Sequence, residues 1–507
     1  MSMEKYVKQI LSARVYDVAV ETPIDSARSL SLRTRNTVLL KREDLQPIFS
    51  FKIRGAYNKI VNLDESQRHL GVITASAGNH AQGVAMAGAA LGIKTVIVMP
   101  ETTPAIKVDS VKALGGRVVM FGDTYDDAAE NAFELADAEG YEFVHPFDDP
   151  AVIAGQGTIG LEIARQHPSA LDVLFIPVGG GGLMAGVGAY LKYLRPEIKL
   201  VAVQAEDSAC LKAAVEAGRR VKLPQVGLFA DGVAVSQIGK ETFRLLRKVV
   251  DEIITVNTDE ICAAVKDIFD DTRAVAEPAG ALATAGLKKY VRQNRLRKHI
   301  LMALVTGANV NFDRLRHISE RTELGERREV ILSVTISENP GSFRDFCNAL
   351  GKRNITEFNY RYGDRDAARI FVGVAIPDKH NGRKALLNDL SRKGFAVTDM
   401  TDNEAAKLHI RHMVGGRAHN IQNELVYRFE FPERPGALMR FLNQLGQEWN
   451  ISMFHYRNHG AAYGRVLLGI QVPPRDLKRF EQFMRQIGYR LWDESDNVAY
   501  LSFLAPE

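Results

Sequence analysis

Between Thr37 and Asn311 the chain alternates short β-branched runs with longer alanine-rich segments whose apolar residues recur at helical spacing. The runs include TVLL, GVIT, TVIVMP, RVVMF, VLFIPV, KLVAVQ and HILMALVT. Because these runs are apolar on both faces, they suit parallel strands that are covered by helices on each side. The alternation therefore predicts an α/β doubly wound domain, and a chain of 507 residues leaves room for further domains.

The second half of the chain contains an internal repeat. VTISENPGSFRDFCNALGKRNITEFNYR, from Val334, matches FEFPERPGALMRFLNQLGQEWNISMFHYR, from Phe429, with one insertion. Each copy has the order strand, Pro-Gly turn, amphipathic helix, strand, strand, and the first helix carries its apolar residues at Phe343, Phe346 and Leu350. We predict two ferredoxin-like βαββαβ modules, at 330–402 and 425–496.

The segment between the two halves is strongly charged. RLRHISERTELGERRE has nine charged residues in sixteen and little apolar periodicity. We expect the first domain to occupy 1–316 and a solvated connector to occupy 317–329.

Composition excludes several classes of function. Lys and Arg total 65 against 61 Asp and Glu, and the net charge of +4 is too dilute to indicate a nucleic-acid or membrane surface. Cys210, Cys262 and Cys347 lie far apart, so we expect neither a disulfide framework nor a cysteine metal site. No stretch approaches the roughly 18 apolar residues of a membrane span, and the N-terminus lacks the apolar run of a signal peptide. We expect a cytoplasmic protein.

Three loops that follow predicted strands could bind a ligand. Ser76, Gly78 and Asn79 precede a helix whose N-terminus could hold a carboxylate or phosphate, although Ser76 or Asn79 could equally be only an N-cap. Gly179 to Gly182 offer backbone N–H donors for a phosphate, without the Lys-Ser/Thr pair of a P-loop or the spacing of a dinucleotide site. Thr306 ends the last strand and alone indicates only a turn.

Lys52 completes the pattern. It lies between Phe51 and Ile53, and an amine in apolar surroundings has a lowered pKa, so that its neutral form can attack a carbonyl. Most lysines are solvated surface charges, so the inference depends on the combination. A reactive lysine, a glycine cradle and an asparagine loop together describe a pyridoxal phosphate site.

Several motifs of the chain resemble those of the fold type II pyridoxal phosphate enzymes. Those of the first domain are SFKIRGAY, TASAGNHAQG, VGGGGL, AEPAGA and TGANVN, and those of the tail are ENPGSF, ITEFNYR, ERPGAL and ISMFHYR. Within that family the chain looks most similar to the biosynthetic threonine dehydratases (threonine ammonia-lyases), from about Arg14 to Ala505. The resemblance implies a fold type II catalytic domain followed by two ACT-like, ferredoxin-like α+β regulatory domains, assembled as a homotetramer.

The same resemblance implies an activity. L-threonine would be deaminated to 2-oxobutanoate and ammonia by α,β-elimination, with L-serine as a further substrate. This reaction is the first step of isoleucine biosynthesis in the family, where isoleucine inhibits it and valine relieves the inhibition.

The resemblance also assigns site residues. Lys52 would form the Schiff base with pyridoxal phosphate and act as the catalytic base, with Phe51 beside the ring. Asn79 would contact the ring oxygen, and Thr306 would face the pyridine nitrogen, where relatives often have serine. The phosphate would be held by Gly179, Gly180, Gly181, Gly182 and Leu183. The substrate carboxylate would be bound by the loop of Ser76, Gly78, Asn79 and His80.

Some roles stay open. His80 is either an acid-base group or a structural hydrogen bonder, and Glu277 either lines the site or charges a loop. The candidate effector contacts, which could equally be packing residues, are Tyr360, Arg361, Leu438, Tyr456 and Arg457. Two other functions remain: a serine-preferring dehydratase or β-replacing synthase of the same fold, and a noncatalytic amino-acid sensor, which the presence of Lys52 disfavours.

Overall fold

The computed structural model describes residues 2–312, 314–326, 329–337, 346, 349, 350, 353, 355–361, 367–376, 382–412, 422–432, 449–457, 463–486 and 488–505. At 323–324, 337, 355–361, 367–370, 375, 412, 431–432, 450–457 and 463–466 it describes the backbone alone. The chain divides into two compact units, Met1–Thr322 and Glu323–Glu507.

The first unit alternates helices and strands, as the sequence predicts. Its helices are α1 (Met3–Leu11), α2 (Arg28–Thr34), α3 (Lys52–Val61), α4 (Glu65–Leu70), α5 (Asn79–Leu91), α6 (Ala105–Ala113), α7 (Tyr125–Glu139), α8 (Pro150–Gln166), α9 (Gly182–Leu194), α10 (Cys210–Glu216), α11 (Lys240–Val249), α12 (Thr258–Thr272), α13 (Pro278–Asn294) and α14 (Arg314–Gly325). Its strands are β1 (Ile24–Ser26), β2 (Thr37–Arg42), β3 (Val72–Ala75), β4 (Thr95–Met99), β5 (Arg117–Met120), β6 (Glu142–Phe143), β7 (Val173–Pro177), β8 (Lys199–Ala205), β9 (Glu252–Val256) and β10 (Ile300–Val305).

These strands form two sheets in the described part of the unit, with the orders β1-β2-β10-β7-β8-β9 and β5-β4-β3-β6. Every pairing is parallel except that of β1 with β2. Both faces of the larger sheet are buried: Leu301 and Ala303 of β10 pack with α12 and α13, whereas Met302 and Leu304 pack with α9 and α11. The predicted doubly wound α/β pattern is confirmed.

The charged segment after Arg314 is not the solvated connector that we expected over 317–329. It forms α14, and His317, Ile318, Arg321 and Thr322 are buried. Arg321 pairs with Asp259 at 3.0 Å, and the Thr322 hydroxyl donates to the Cys262 carbonyl at 3.3 Å. The high charge content wrongly predicted a solvated segment, because the residues that pair with these buried polar side chains lie far away in the sequence.

The second unit contains two modules. Its strands are β11 (Glu329–Ser337), β12 (Ile355–Arg361), β13 (Ala367–Ala375), β14 (Ala396–Asp399), β15 (Glu424–Pro432), β16 (Asn450–Arg457), β17 (Tyr463–Gln471) and β18 (Arg490–Asp493). Its described helices are α15 (Gly382–Arg392), α16 (Glu404–Leu408), α17 (Leu477–Gln486) and α18 (Val498–Phe503).

The two sheets of this unit have matching orders, β12-β13-β11-β14 and β16-β17-β15-β18, and every pairing is antiparallel. In each module the first strand is central, as a ferredoxin-like fold requires, so the predicted repeat is confirmed. Phe346 and Leu350 are buried in the core of the first module, whereas Phe343 lies outside the described residues.

The two modules share a hydrophobic core built from equivalent positions. Ile331 and Val426, in the first strand of each module, both belong to this core. The peptide N–H of Ile331 donates to the Thr401 hydroxyl at 3.1 Å, and that of Val426 donates to the Ser495 hydroxyl at 3.0 Å. The N-cap residues of α16 and α18, Asn403 and Asn497, are hydrogen-bonded to each other at 3.0 Å.

Among the described residues, no helix is both long enough and apolar enough to cross a membrane. Cys210 and Cys262 are buried and are not joined in a disulfide, and Cys347 lies outside the described residues.

Candidate active site

Three loops meet at the carboxyl ends of parallel strands in the first unit. Gly179 to Gly182 follow β7 and Thr306 follows β10 in the larger sheet. Ser76 to Asn79 follow β3 in the smaller sheet, and Asn79 reaches the chain after β10 through its hydrogen bond with Asn309. Since β7 and β10 are neighbours, their loops are adjacent. Lys52, the first residue of α3, lies beside the same edge because the Phe51 N–H donates to the Thr306 carbonyl at 3.3 Å. This edge is where open α/β sheets bind ligands.

The Lys52 amine is partly buried and makes one hydrogen bond among the described residues. Its Nζ donates to the Pro146 carbonyl at 2.9 Å and lies 5.4 Å from the centroid of the Phe51 ring. Burial lowers the pKa of Lys52 to about 8, although the nearby Glu277 carboxylate opposes the shift. A large fraction of this amine is therefore neutral at mildly alkaline pH and available as a nucleophile or base.

The Asn79 side chain is held at both ends of its amide. Its Nδ2 donates to Glu277 Oε1 at 2.6 Å, and its Oδ1 accepts from Asn309 Nδ2 at 2.7 Å. Asn309 is fixed as the donor because the same Nδ2 also donates to the Ile48 carbonyl at 2.8 Å. The orientation of Asn79 follows, and its second Nδ2 hydrogen remains to bind a ligand oxygen.

Glu277 is buried at the start of α13. Burial raises the pKa of Glu277 to about 7, with a smaller contribution from the Asp231 carboxylate, while the Asn79 hydrogen bond opposes the shift. Asp231 pairs with Lys107 at 2.8 Å and Arg314 at 3.4 Å. Although burial acts in the opposite direction, these two cations lower the pKa of Asp231, so that it stays ionised.

The glycine loop leads directly into α9. Gly181, its N-cap, has a φ of 94°, in the left-handed region that favours glycine. The Gly180 carbonyl accepts from the Thr242 hydroxyl at 2.8 Å, and the Gly179 carbonyl accepts from the Cys210 thiol at 3.4 Å. The first peptide N–H groups of a helix have no carbonyl partner within it, so the start of α9 can bind an anion.

Packing of the surrounding side chains also requires glycine at these positions, which the sequence did not indicate. A Cβ at Gly180 would overlap the Phe147 ring, and one at Gly182 would lie 2.8 Å from the Phe147 carbonyl oxygen. At Gly181 it would lie 2.7 Å from Leu246 Cδ1. The absence of side chains at these glycines therefore also allows Phe147 and Leu246 to pack closely against the loop.

The Ser76 loop lacks a side-chain cap. Gly78 is the N-cap of α5, and the Ser76 hydroxyl accepts from the Gly78 N–H at 3.2 Å. Neither Ser76 nor Asn79 caps the helix, and a Cβ at Gly78 would meet open space. The start of α5 is therefore open to a carboxylate.

His80 is buried, and its Nε2 is hydrogen-bonded to the Val144 carbonyl at 2.9 Å. Burial and then the Lys52 charge lower the pKa of His80 to about 3. His80 is therefore neutral at physiological pH, and its hydrogen bond fixes the backbone at Val144, the residue after β6. These features favour the structural alternative over the acid-base one.

Thr306 is buried, and its hydroxyl donates to the Ala279 carbonyl at 3.3 Å. The structure adds Pro146, Phe147, Asn309 and Asp231, which sequence reasoning did not select. Pro146 acts through a backbone carbonyl, which carries no side-chain signal. Asn309, by contrast, lies within the motif TGANVN, so the sequence did contain a signal for it.

The effector candidates are only partly described. Tyr360 and Arg361 end β12, and Tyr456 and Arg457 end β16, so the two pairs occupy equivalent backbone positions. Leu438 lies outside the described residues.

Comparisons with known proteins agree with this geometry. Residues 15–307 match the family model described as pyridoxal-phosphate dependent enzyme. Residues 320–410 and 415–504 match the C-terminal regulatory domain of threonine dehydratase.

Relatives match along the whole chain. The biosynthetic L-threonine dehydratase IlvA of Burkholderia multivorans is 53% identical over 509 residues, which is 100% of both chains. That of Escherichia coli K12 is 54% identical over 501 residues, covering 99% of this chain and 97% of its own.

Solved structures match over a smaller share of the chain. The processed form of threonine deaminase isoform 2 from Solanum lycopersicum has a TM-score of 0.62 and 46% identity, and the match covers 63% of this chain and 93% of that one. The threonine deaminase from T.th. has a TM-score of 0.57 and 38% identity, with coverage of 61% and 98%.

The residues present fit pyridoxal phosphate. Two helix starts lack side-chain caps, an amide N–H is oriented for a ligand oxygen, and a lysine amine has a lowered pKa. The chain therefore belongs to the pyridoxal-phosphate dependent enzymes and, within them, to the threonine dehydratases that carry a doubled C-terminal regulatory domain.

Proposed function

We propose that the chain deaminates L-threonine to 2-oxobutanoate and ammonia by α,β-elimination, as the first step of isoleucine biosynthesis, and also accepts L-serine. The observation that carries the proposal is the Lys52 amine, which has a lowered pKa and lies among the Asn79, glycine and Thr306 loops. Isoleucine inhibits the enzyme through the second unit, and valine relieves that inhibition. The protein works as a homotetramer in the cytoplasm.

When bound, pyridoxal phosphate supplies a ring that withdraws electrons from the substrate Cα. The Lys52 Nζ takes the Cα proton, for which its lowered pKa suits it. The start of α5 binds the substrate carboxylate, and the start of α9 binds the cofactor phosphate.

Two further side chains, Asn79 and Thr306, would orient the cofactor. Asn79 Nδ2 would donate to the ring oxygen of the cofactor, and Glu277 and Asn309 fix the orientation of the Asn79 amide. The Thr306 hydroxyl would lie beside the pyridine nitrogen, and because a hydroxyl is neutral it would place no negative charge there. A carboxylate at this position would strengthen electron withdrawal, whereas a hydroxyl favours rapid elimination.

The proposed reaction is tested with L-threonine as the sole amino acid. We expect equal amounts of 2-oxobutanoate and ammonia, since one of each is formed per threonine, and pyruvate from L-serine. A product that appears only when a second, nucleophilic substrate is added would identify a β-replacing synthase instead. Binding of threonine without any 2-oxo acid would identify a sensor.

The Lys52 pKa gives a pH prediction for the apoprotein. The rate of pyridoxal phosphate capture follows the neutral amine, so we expect it to rise with pH, with a midpoint of about 8, and then level off. Glu277→Gln removes the charge that raises the Lys52 pKa, so its midpoint moves to lower pH. Stopped-flow absorbance over pH 6–11 measures both proteins.

The matched control is Glu142→Gln, which removes a carboxylate that pairs with Lys59, at the other end of α3. This variant keeps the midpoint of the unaltered protein. A midpoint near 10.5 in the unaltered protein would mean that Lys52 is an ordinary solvated lysine.

A further inference from the structure

Asp148 binds the start of a helix that lies far from it in the sequence. Its Oδ2 accepts from the Lys240 N–H at 2.8 Å, and its Oδ1 accepts from the N–H groups of Glu241 and Thr242 at 2.9 and 3.0 Å. Gly239, the N-cap of α11, provides no side-chain cap of its own. The Asp148 carboxylate therefore takes that role, and its negative charge suits the positive end of α11.

Both of the elements that Asp148 joins contact the glycine loop. Phe147, its neighbour in the chain, lies against Gly180 and Gly182. Thr242, which Asp148 holds through its peptide N–H, is buried and donates its hydroxyl to the Gly180 carbonyl. Asp148 thus fixes the loop from two sides at once.

The turn that carries Asp148 is itself well ordered by hydrogen bonds. His145 Nδ1 accepts from the N–H groups of Phe147 and Asp148 at 3.1 and 2.8 Å. The Pro146 carbonyl in the same turn accepts from Lys52 Nζ. The 145–148 turn therefore connects α11, the glycine loop and the lysine amine.

We propose that Asp148 is a positioning residue for the phosphate cradle: it holds Phe147 and Thr242 in register, so that the backbone N–H groups of the glycine loop are preorganised for the cofactor phosphate. The inference rests on the proposed assignment of that loop to the phosphate. Preorganised donors raise affinity because less ordering remains to be done on binding.

The test is a titration of full-length apoprotein with pyridoxal 5′-phosphate and, separately, with pyridoxal, which has the same ring and aldehyde without the phosphate. In Asp148→Asn the amide nitrogen faces at least one peptide N–H of α11 in either orientation of the amide, and the charge is lost in both. We expect affinity for pyridoxal 5′-phosphate to fall by at least about tenfold, and affinity for pyridoxal to change by less than about twofold.

Asp149→Asn is the matched control. Asp149 caps α8 through the N–H groups of Ala151 and Val152, at 2.7 and 3.1 Å, and makes no hydrogen bond to α11 among those described. Urea unfolding of both apoproteins measures the general cost of losing a carboxylate charge at a helix start, and Asp149→Asn should keep both affinities. The proposal is overturned if Asp148→Asn keeps its phosphate-dependent affinity, or if both ligands weaken equally.

Thr242 offers a second route if Asp148→Asn does not fold. Thr242→Val removes the bond to the Gly180 carbonyl at similar volume, and Thr242→Ser restores it, so only the valine variant should lose affinity for pyridoxal 5′-phosphate. Equal loss in both variants would overturn the proposal. Equal affinity of the unaltered protein for the two ligands would instead reject the phosphate cradle on which the inference rests.

Discussion

Lys52→Ala abolishes turnover of L-threonine, by about 10⁴-fold or more, because it removes both the covalent attachment point of the cofactor and the base at the substrate Cα. The visible absorption band of the protein-bound cofactor disappears with it. The fold should survive, since Lys52 is partly buried and its one described hydrogen bond is to the Pro146 carbonyl. Initial rates, absorbance spectra and urea unfolding measure the three effects.

Lys59→Ala is the matched control, since it makes the same change on the same helix. Lys59 pairs with Glu142 and Asp149 at 2.8 and 3.2 Å, away from the Lys52 end of α3. This variant should keep the spectrum and most of the activity. Near-normal turnover in Lys52→Ala would show that another group performs the chemistry.

Removing the second unit should remove the response to isoleucine and valine and leave threonine turnover. The groups proposed to bind cofactor and substrate lie between Phe51 and Thr306, within the unit that ends at Thr322. The cut belongs after Gly325, not after Arg316, because the buried residues of α14 complete the first unit. Threonine saturation curves with and without each effector measure the change.

Allosteric couplings are typically about 1–3 kcal/mol, so a shift of roughly 5–150-fold in the intact chain should vanish in the shortened one. Both proteins are assayed at saturating cofactor, so that a difference in cofactor affinity does not imitate a loss of regulation. An isoleucine response that persists in the shortened chain would place the effector site in the first unit.

The sequence predicted most of what defines the site. Runs that are apolar on both faces give strands such as β7 and β10, and loops at their carboxyl ends must lie at one edge of the sheet. Lys52, Asn79 and the glycine loop follow from motifs, because each uses a residue type that its chemistry requires.

The surroundings of these groups could not be predicted in the same way. The pKa of Glu277 depends on burial and on Asp231, which only folding brings near it. The Pro146 carbonyl is a backbone group that any residue could supply. The helix α14 was missed because Asp259 and Asp231, which pair with its arginines, are remote in the sequence.

The shared core of the second unit has a consequence for its origin. Asn403 meets Asn497, its counterpart in the other module, and contact between like residues is the mark of an isologous dimer. Such an interface is what a single module would use to pair with its own copy. Joining the two copies in one chain makes the pairing intramolecular and independent of protein concentration. Each half could then diverge in sequence, as the Thr401 and Ser495 counterparts have, while keeping its partner.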